Sequence, residues 1–356
     1  MNPASSQHHR YPLWGFCLFA LIALVGLYYV KWSPYYDRVF IAEQTGSIGN
    51  SILNGSDGMV PAPSLQAALD YAVAYGKAIW KAMMLGLLLG SGLQALLPSP
   101  WIQRWLGGFG AGSVLTGSLL SIPSMMCTCC SAPVVNGLRD CRAAPGSTIA
   151  YWLGNTMLNP ATLVFMGFVL GWHWAGLRLV AGLAMVLGLG WLVNRLNRGD
   201  ALADVSDLPT AAMPDQASLG AGSILRRWVQ SFTGMALRLL PEYLILVLLL
   251  GAVRAWLFPV LDMSIDNSLL WIAGAAIVGL LFVIPTAGEV PIVQTMLALG
   301  VATGPAAALL VTLPPVSLPS LAMVAKSFRR RDLTVIILGI AILGMLTGGA
   351  AITLGF

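Results

Sequence analysis

Charge is what this sequence has least of. Asp, Glu, Lys and Arg make up 9% of its 356 residues, where soluble domains carry about 25%, so there is too little polar surface to cover a water-soluble globule. Histidine is scarce too. His8 and His9 lie in the polar tail Met1–Pro12 and read as an exposed terminus rather than a metal site. The five cysteines are too few and too unevenly placed for the disulfide framework of a small secreted domain. No G-x-x-x-x-G-K-[ST] phosphate loop occurs, which removes the usual means of using ATP directly. The net charge of +5 does not point to nucleic acid, because the basic residues are scattered between apolar runs, the pattern that orients a chain in a bilayer.

What the sequence does have is apolar length. Hydrophobic residues are 57% of the chain and the mean hydropathy is +0.80, which makes this an all-α integral membrane protein. Its 39 glycines and 21 prolines would break soluble helices but are tolerated in membrane helices that cross closely or are interrupted. Leu13–Val30 is long enough to span and is followed by no signal-peptide cleavage pattern, so it reads as an uncleaved anchor. Lys31 to Ser64 is expected to be an external polar excursion, with turn signals at Asn54-Gly55 and Asp57-Gly58. Leu65–Leu97, Leu106–Met126, Pro145–Leu170, Trp174–Val193, Phe232–Phe258, Ser268–Ile284, Gly304–Ala325 and Leu333–Leu354 are further apolar segments. Arg195–Gln230 is a long hydrophilic linker. Four parts follow: an anchor and external loop (1–64), a first transmembrane repeat (65–195), a cytoplasmic linker (196–230) and a second repeat (231–356).

The two halves match each other. At an offset of 158 residues, Cys127–Val135 (CTCCSAPVV) falls on Pro285–Val293 (PTAGEVPIV), and Pro98 matches Pro259 at an offset of 161. From Glu289 to Gly300 there are 12 residues, about 18 Å of helix, against a hydrocarbon core of about 30 Å. That piece cannot cross, so each interrupted segment is expected to dip in and return. The N-terminal tail, the region around the first dip, the linker and the Lys326–Asp332 knot then share one face with 12 basic residues. Lys31 and Arg38 alone lie on the other. Positive-inside orientation sets the N-terminus in the cytoplasm of a multi-pass inner-membrane protein. The fold expected is an inverted repeat of two halves, each with a broken or re-entrant helical hairpin, the architecture of many secondary transporters.

The chemistry sits at the two tips. Cys127, Cys129 and Cys130, with Thr128 between them, present soft thiols suited to Cu(I), Zn(II) or trivalent arsenic and antimony. They are the expected metal or metalloid ligands. Cys127 and Cys130 also have the C-x-x-C spacing of a redox or metal pair. Cys17 and Cys141, standing alone, read as packing. On the second tip Thr286 and Glu289 take their place. An ionisable residue at membrane depth is a functional candidate by default, and Glu289 reads equally as a proton-coupling group, a substrate contact or a helix cap. Lys81 and Glu242, at matched positions in the long helices, are weaker coupling candidates and read first as snorkelling side chains. Asn155 and Asn159 are candidates to line the path, as are Thr312 and Ser317 in the second half.

On the Pro123–Pro133 cysteine stretch, the NTMLNP span (Asn155–Pro160) and IPTAGEVP (Ile284–Pro291), the chain resembles the ArsP-like predicted permeases, which include organoarsenical efflux permeases. The resemblance covers most of Leu65–Leu354 and implies export from the cytoplasm. Where the family commonly has C-S-C-G, this chain has Cys127, Thr128, Cys129 and Cys130, a further thiol. The expected function is a secondary transporter, not an enzyme, that moves a thiophilic small species by cysteine ligation and needs no cofactor. Its partners would be the bilayer, its cargo and, in a homodimer, a second copy, with no nucleic acid. Thiol exchange with a sulfur compound, a membrane thiol-disulfide oxidoreductase and a channel are the alternatives.

Overall fold

A computed structural model describes residues 13–49, 64–207, 221–257 and 265–356. His8, His9, Asn54-Gly55, Asp57-Gly58, Asp215 and Asp262 lie outside the described residues. Every regular element among those described is helical, as apolar stretches in a bilayer require when no closed barrel is formed.

The N-terminal element differs from expectation. α1 (Leu13–Leu27) does not end at Val30 but passes through a π-helical turn, Tyr28–Trp32, directly into α2 (Ser33–Thr45). Lys31 therefore lies inside a helix and is buried, not on an external loop. Pro34 follows the π-helical turn within this continuous helix, and proline and π-bulges are the usual places where the helical hydrogen-bond ladder is interrupted without ending the helix. The helix stops at Gly46, whose φ of 62° is the left-handed conformation of a C-cap.

The first half then runs α3 (Leu65–Leu96), α4 (Ser99–Leu106), α5 (Ala111–Ser124), α6 (Thr128–Asp140), α7 (Pro145–Met157), α8 (Pro160–Val169) and α9 (Trp172–Asp207). In the second half α10 (Ala221–Leu257), α11 (Leu269–Leu281), α12 (Glu289–Ala298), α13 (Thr303–Thr312), α14 (Leu318–Val324) and α15 (Arg330–Thr353) follow. Long helices open and close each half, with four short ones between; α4, bent 110° from α5, is the extra piece in the first. Among the described residues five helices are long and apolar enough to cross a membrane, or six if the α4–α5 pair counts as one span.

Two expected spans prove to be broken. Pro145–Leu170 divides at Leu158–Asn159, because Pro160 brings no amide and the Asn159 side chain instead accepts from Ala161 and Thr162 at the head of α8. Gly304–Ala325 divides before Ser317, which caps α14 through a reciprocal bond with Ser320, after Pro314 and Pro315 have removed two donors. The hydrophilic stretch Arg195–Gln230 is helical at both ends, since α9 runs on to Asp207 and α10 begins at Ala221.

The centre of the bundle is formed by α7, every residue of which is buried, and α13, buried from Gly304 to Thr312. Both helices are covered on every side, with the polar side chains of α7 (Ser147, Thr148, Asn155 and Thr156) buried along with its apolar ones. Around them pack α5 and α9 in the first half and α11 and α15 in the second, while α3 and α10 lie side by side.

Candidate functional site

Two non-helical tips meet inside this bundle. The first, between α5 and α6, turns through Met125 at φ 47°; the second, between α11 and α12, turns through Ala287 at φ 68°. A positive φ costs a non-glycine residue about 1–2 kcal/mol, and such strain collects where the surroundings hold it for a purpose. Asn155 of α7 holds the first tip: its Oδ1 accepts from the Met126 amide at 3.2 Å and from the Ser124 hydroxyl, and its Nδ2 donates to Tyr151 O. Two tyrosines of α3 hold the second, Tyr71 donating to Val283 O at 2.7 Å and Tyr75 to Ile284 O at 3.1 Å.

The same helix seats the cysteines. A Cβ added at Gly86 of α3 would stand 2.0 Å from Cys130 O, and one at Gly90 would stand 2.3 Å from Pro133 O. Only glycine lets α6 lie this close to α3, so the thiols are placed by backbone contact. Cys127 is the N-cap of α6, and its Sγ lies 2.8 Å from Cys130 Sγ with both thiols free. Cys129 points elsewhere, its Sγ 3.8 Å from the Ser317 hydroxyl at the head of α14. Thr128 is buried, and its carbonyl accepts from the Trp152 indole at 3.1 Å. The three cysteines thus divide into a pair and a single. Among the described residues no group of three or more Cys, His, Asp or Glu side chains is arranged to hold a metal ion.

Between the tips is a cavity of about 10 Å³, the room of one water molecule. Cys127 lines it from the first tip, and Pro285, Thr286, Ala287 and Glu289 from the second, with Thr156 and Thr162 beside them. Glu289 is 1% exposed and pairs through Oε1 with Arg178 of α9 at 2.5 Å. Its Oε2 has no hydrogen-bond partner. Arg178, fully buried, also donates to Thr156 O at 2.9 Å. Lys31 approaches from the N-terminal helix, with its Nζ 3.4 Å from Thr286 Oγ1 and 3.3 Å from Tyr35 Oη. Its charge reaches the Cys127 and Cys130 thiols. Beside it Trp32 Nε1 donates to Pro123 O at 2.7 Å, so one helical turn touches both tips.

The structure brings together Cys127, Cys130, Thr286 and Glu289 and sets the remaining candidates around them. Asn155 holds backbone and Asn159 caps α8, with its Nδ2 buried and unpartnered. Lys81 is exposed, lying over the Tyr29 and Trp80 rings at 5.4 and 5.9 Å, and Glu242 is half-buried on α10; neither lines the cavity. Cys141 is buried at the far end of α6 against Leu93 O. Arg178 and Lys31 are the residues sequence reasoning missed. Arg178 was findable as a lone cation inside an apolar run. Lys31 was not, because the first charge after an apolar run looks like a membrane boundary.

A polar seam leads away from the thiols. α6 and α14 run side by side from the Cys129–Ser317 contact, through Asn136 Nδ2 bonded to Met323 O at 3.1 Å, to Arg139 Nε bonded to Ser327 O at 3.0 Å. The Ser327 hydroxyl closes it on Asn136 Oδ1 at 2.6 Å. The seam ends at a groove of about 430 Å³ whose polar walls include Gln94, Arg139, Asp140, Arg238 and Lys326.

Comparison with known proteins adds a family to this geometry. The model of a predicted-permease family, ArsP_1, matches residues 11–163 and 111–351. The UPF0718 protein YraQ of Escherichia coli (strain K12) is 46% identical over 356 residues, covering 99% of each chain. No solved structure matches the chain.

Proposed function

Since the chain belongs to this predicted permease family, we propose that it is a secondary transporter whose cargo site is the cavity between the two tips. The cargo is a small thiophilic species, a trivalent (organo)arsenical or a soft metal ion, met by Cys127 and Cys130. The observation that carries the reading is Cys127 sharing one buried cavity with Thr286 and Glu289 from the opposite half. One thiol, the threonine hydroxyls and a carboxylate with an unpartnered oxygen line that space, and Cys130 stands behind Cys127 at 2.8 Å.

The architecture supports a carrier. α12 has 10 residues, about 15 Å of helix, half the hydrocarbon thickness, so it enters the membrane without crossing. The two halves are read as an inverted repeat: their elements come in the same order, and the buried caps Asn159 and Ser317 stand 158 residues apart, the offset that matches the tips. Broken helices meeting at mid-depth are the usual frame of a carrier's site. The groove at the end of the α6–α14 seam would be the cytoplasmic approach, and Glu289 the group that exchanges a proton as cargo enters or leaves.

The test is flux in vesicles holding the purified full chain, with methylarsenite, antimonite and Cu(I) as probes. Cys127→Ser and Cys130→Ser are expected to cut flux of the accepted probe more than tenfold at unchanged protein content. Wild-type flux in both variants would overturn the thiol site.

A second reading rests on the 2.8 Å approach of Cys127 to Cys130. In it the pair reduces a disulfide cargo: two thiols lose two protons and two electrons to form one bridge, while the cargo's S–S bond yields two thiols. A Cys127–Cys130 bridge found by mass spectrometry after turnover, and not before, would favour this exchange over ligation.

A further inference from the structure

Besides Glu289 Oε2, one other buried side-chain oxygen has no hydrogen-bond partner among the described residues: the hydroxyl of Tyr243 on α10, a residue 8% exposed. A buried tyrosine hydroxyl ordinarily finds a partner, and one that does not calls for a reason. The neighbouring tyrosines have theirs. The rings of Tyr71, Tyr75 and Tyr243 form a row with successive centroids 5.9 and 6.0 Å apart. Tyr71 and Tyr75 both donate to carbonyls of the second tip. Tyr243 ends the row with its oxygen unused.

Its position gives that oxygen a use. The Tyr243 hydroxyl interacts electrostatically with all three clustered thiols, most strongly with Cys129. Cys129 is the thiol turned away from the cavity, toward the Ser317 hydroxyl at 3.8 Å. Two walls lead from the groove to this point. On α10, Tyr243 stands one helical turn beyond Leu239, which lines the groove. Between α6 and α14, the polar seam runs from the same groove to the Cys129–Ser317 contact. α10 packs against both α3 and α14, so these walls face each other across the first half's thiols.

We propose that Cys129, Ser317 and Tyr243 form a receiving site, where cargo entering from the groove is first bound before it passes to Cys127 in the cavity. The inference rests on the cargo site proposed above and adds a step ahead of it. A single thiol forms a bond that exchanges readily, which suits a stop on a path. The Cys127–Cys130 pair, 2.8 Å apart, holds the same atom twice and therefore longer. With methylarsenite as cargo, the Cys129 sulfur bonds to arsenic while one As–O bond breaks, and the thiol proton leaves with that hydroxyl as water. Tyr243 donates a hydrogen bond to the departing oxygen. Cys127 then displaces Cys129 from arsenic, and the Cys127 proton passes to the Cys129 sulfur. Arsenic stays trivalent throughout, so no oxidant or reductant is needed.

The experiment uses vesicles containing the full chain, with methylarsenite as the probe, and makes two measurements. In flux, Tyr243→Phe and Cys129→Ser should each raise the half-saturating concentration at least fivefold, with maximal flux kept above a third of wild type. Cys127→Ser should instead lower maximal flux more than tenfold. Tyr243→Phe keeps the ring beside Tyr75, so a fall in maximal flux without a change in half-saturation would mean a packing role and overturn the proposal. The second measurement follows alkylation of Cys129 by N-ethylmaleimide, read by peptide mass spectrometry, in a chain carrying Cys127→Ser and Cys130→Ser. Methylarsenite should slow that reaction at least threefold, and Tyr243→Phe should remove most of the protection. Equal alkylation rates with and without methylarsenite overturn the receiving site. A Cys129 that the maleimide never reaches overturns it as well, since cargo would be shut out too. Unprotected Cys129 beside flux abolished by Cys127→Ser leaves the cavity site standing alone. Protected Cys129 beside wild-type flux in Cys127→Ser overturns the transfer to Cys127 and the cavity thiol with it.

Discussion

At the scale of single residues, Cys127 and Cys129 are two positions apart in sequence and serve different surroundings. Cys127 lines the cavity beside Glu289, while Cys129 faces Ser317. Cys129→Ser is therefore expected to keep at least a third of the flux that Cys127→Ser loses, as measured in the same vesicles. Glu289 and Arg178 form the other residue-scale unit. Glu289→Gln leaves a fully buried guanidinium without its charge partner, which costs about 3–5 kcal/mol and should appear as a lowered unfolding midpoint in detergent. Replacing both residues by methionine should recover most of that loss, because a neutral pair has no desolvation cost to offset. Flux would not return with it if Glu289 carries the proton. Both cysteine and glutamate were visible as chemistry in the sequence. Their partners were not, because Arg178 lies 111 residues before Glu289 and Lys31 lies 255 before Thr286.

Among the helices, α3 has the widest role. Its tyrosines hold the second tip and its glycines receive the first. Gly86→Ala places a methyl group 2.0 Å from the Cys130 carbonyl. That contact is with backbone and cannot be relieved by a rotamer, so α6 must move. The expected result is a loss of about 1–3 kcal/mol in stability and of most flux, even though residue 86 bears no functional group. The α6–α14 seam is bound more lightly, by Asn136 and Ser327. Asn136→Ala should loosen it and raise the alkylation rate of Cys129 by a maleimide added from the cytoplasmic side several-fold. An unchanged rate would mean that the seam is not the way in. The sequence showed α3 as one long helix and the tips as breaks. It did not show the breaks before α8 and α14, where Asn159 and Ser317 cap new helices inside what read as continuous apolar runs.

At the scale of the molecule, the cytoplasmic placement of the N-terminus is a proposal that rests on the distribution of basic residues, and Lys31 is buried rather than exposed on the opposite face. Single cysteines introduced at Arg104 and Arg329 are expected to react with an impermeant maleimide from the cytoplasmic side only, and one at Asp266 from the opposite side only. The apolar helical segments, the breaks at the two tips and the clustering of three cysteines at the first were legible in the sequence, because hydropathy, proline and glycine placement and thiol clustering act locally and leave a local mark. Which thiol faces the cavity, that Glu289 is bound to Arg178, and that Lys31 turns inward were decided only by the packed structure. Those facts depend on helix rotation and on contacts between residues far apart in the chain. A one-residue change in helical turn, such as the π-helical segment at Tyr28–Trp32, alters which side chain faces the core without altering the hydrophobic pattern from which the helix is read.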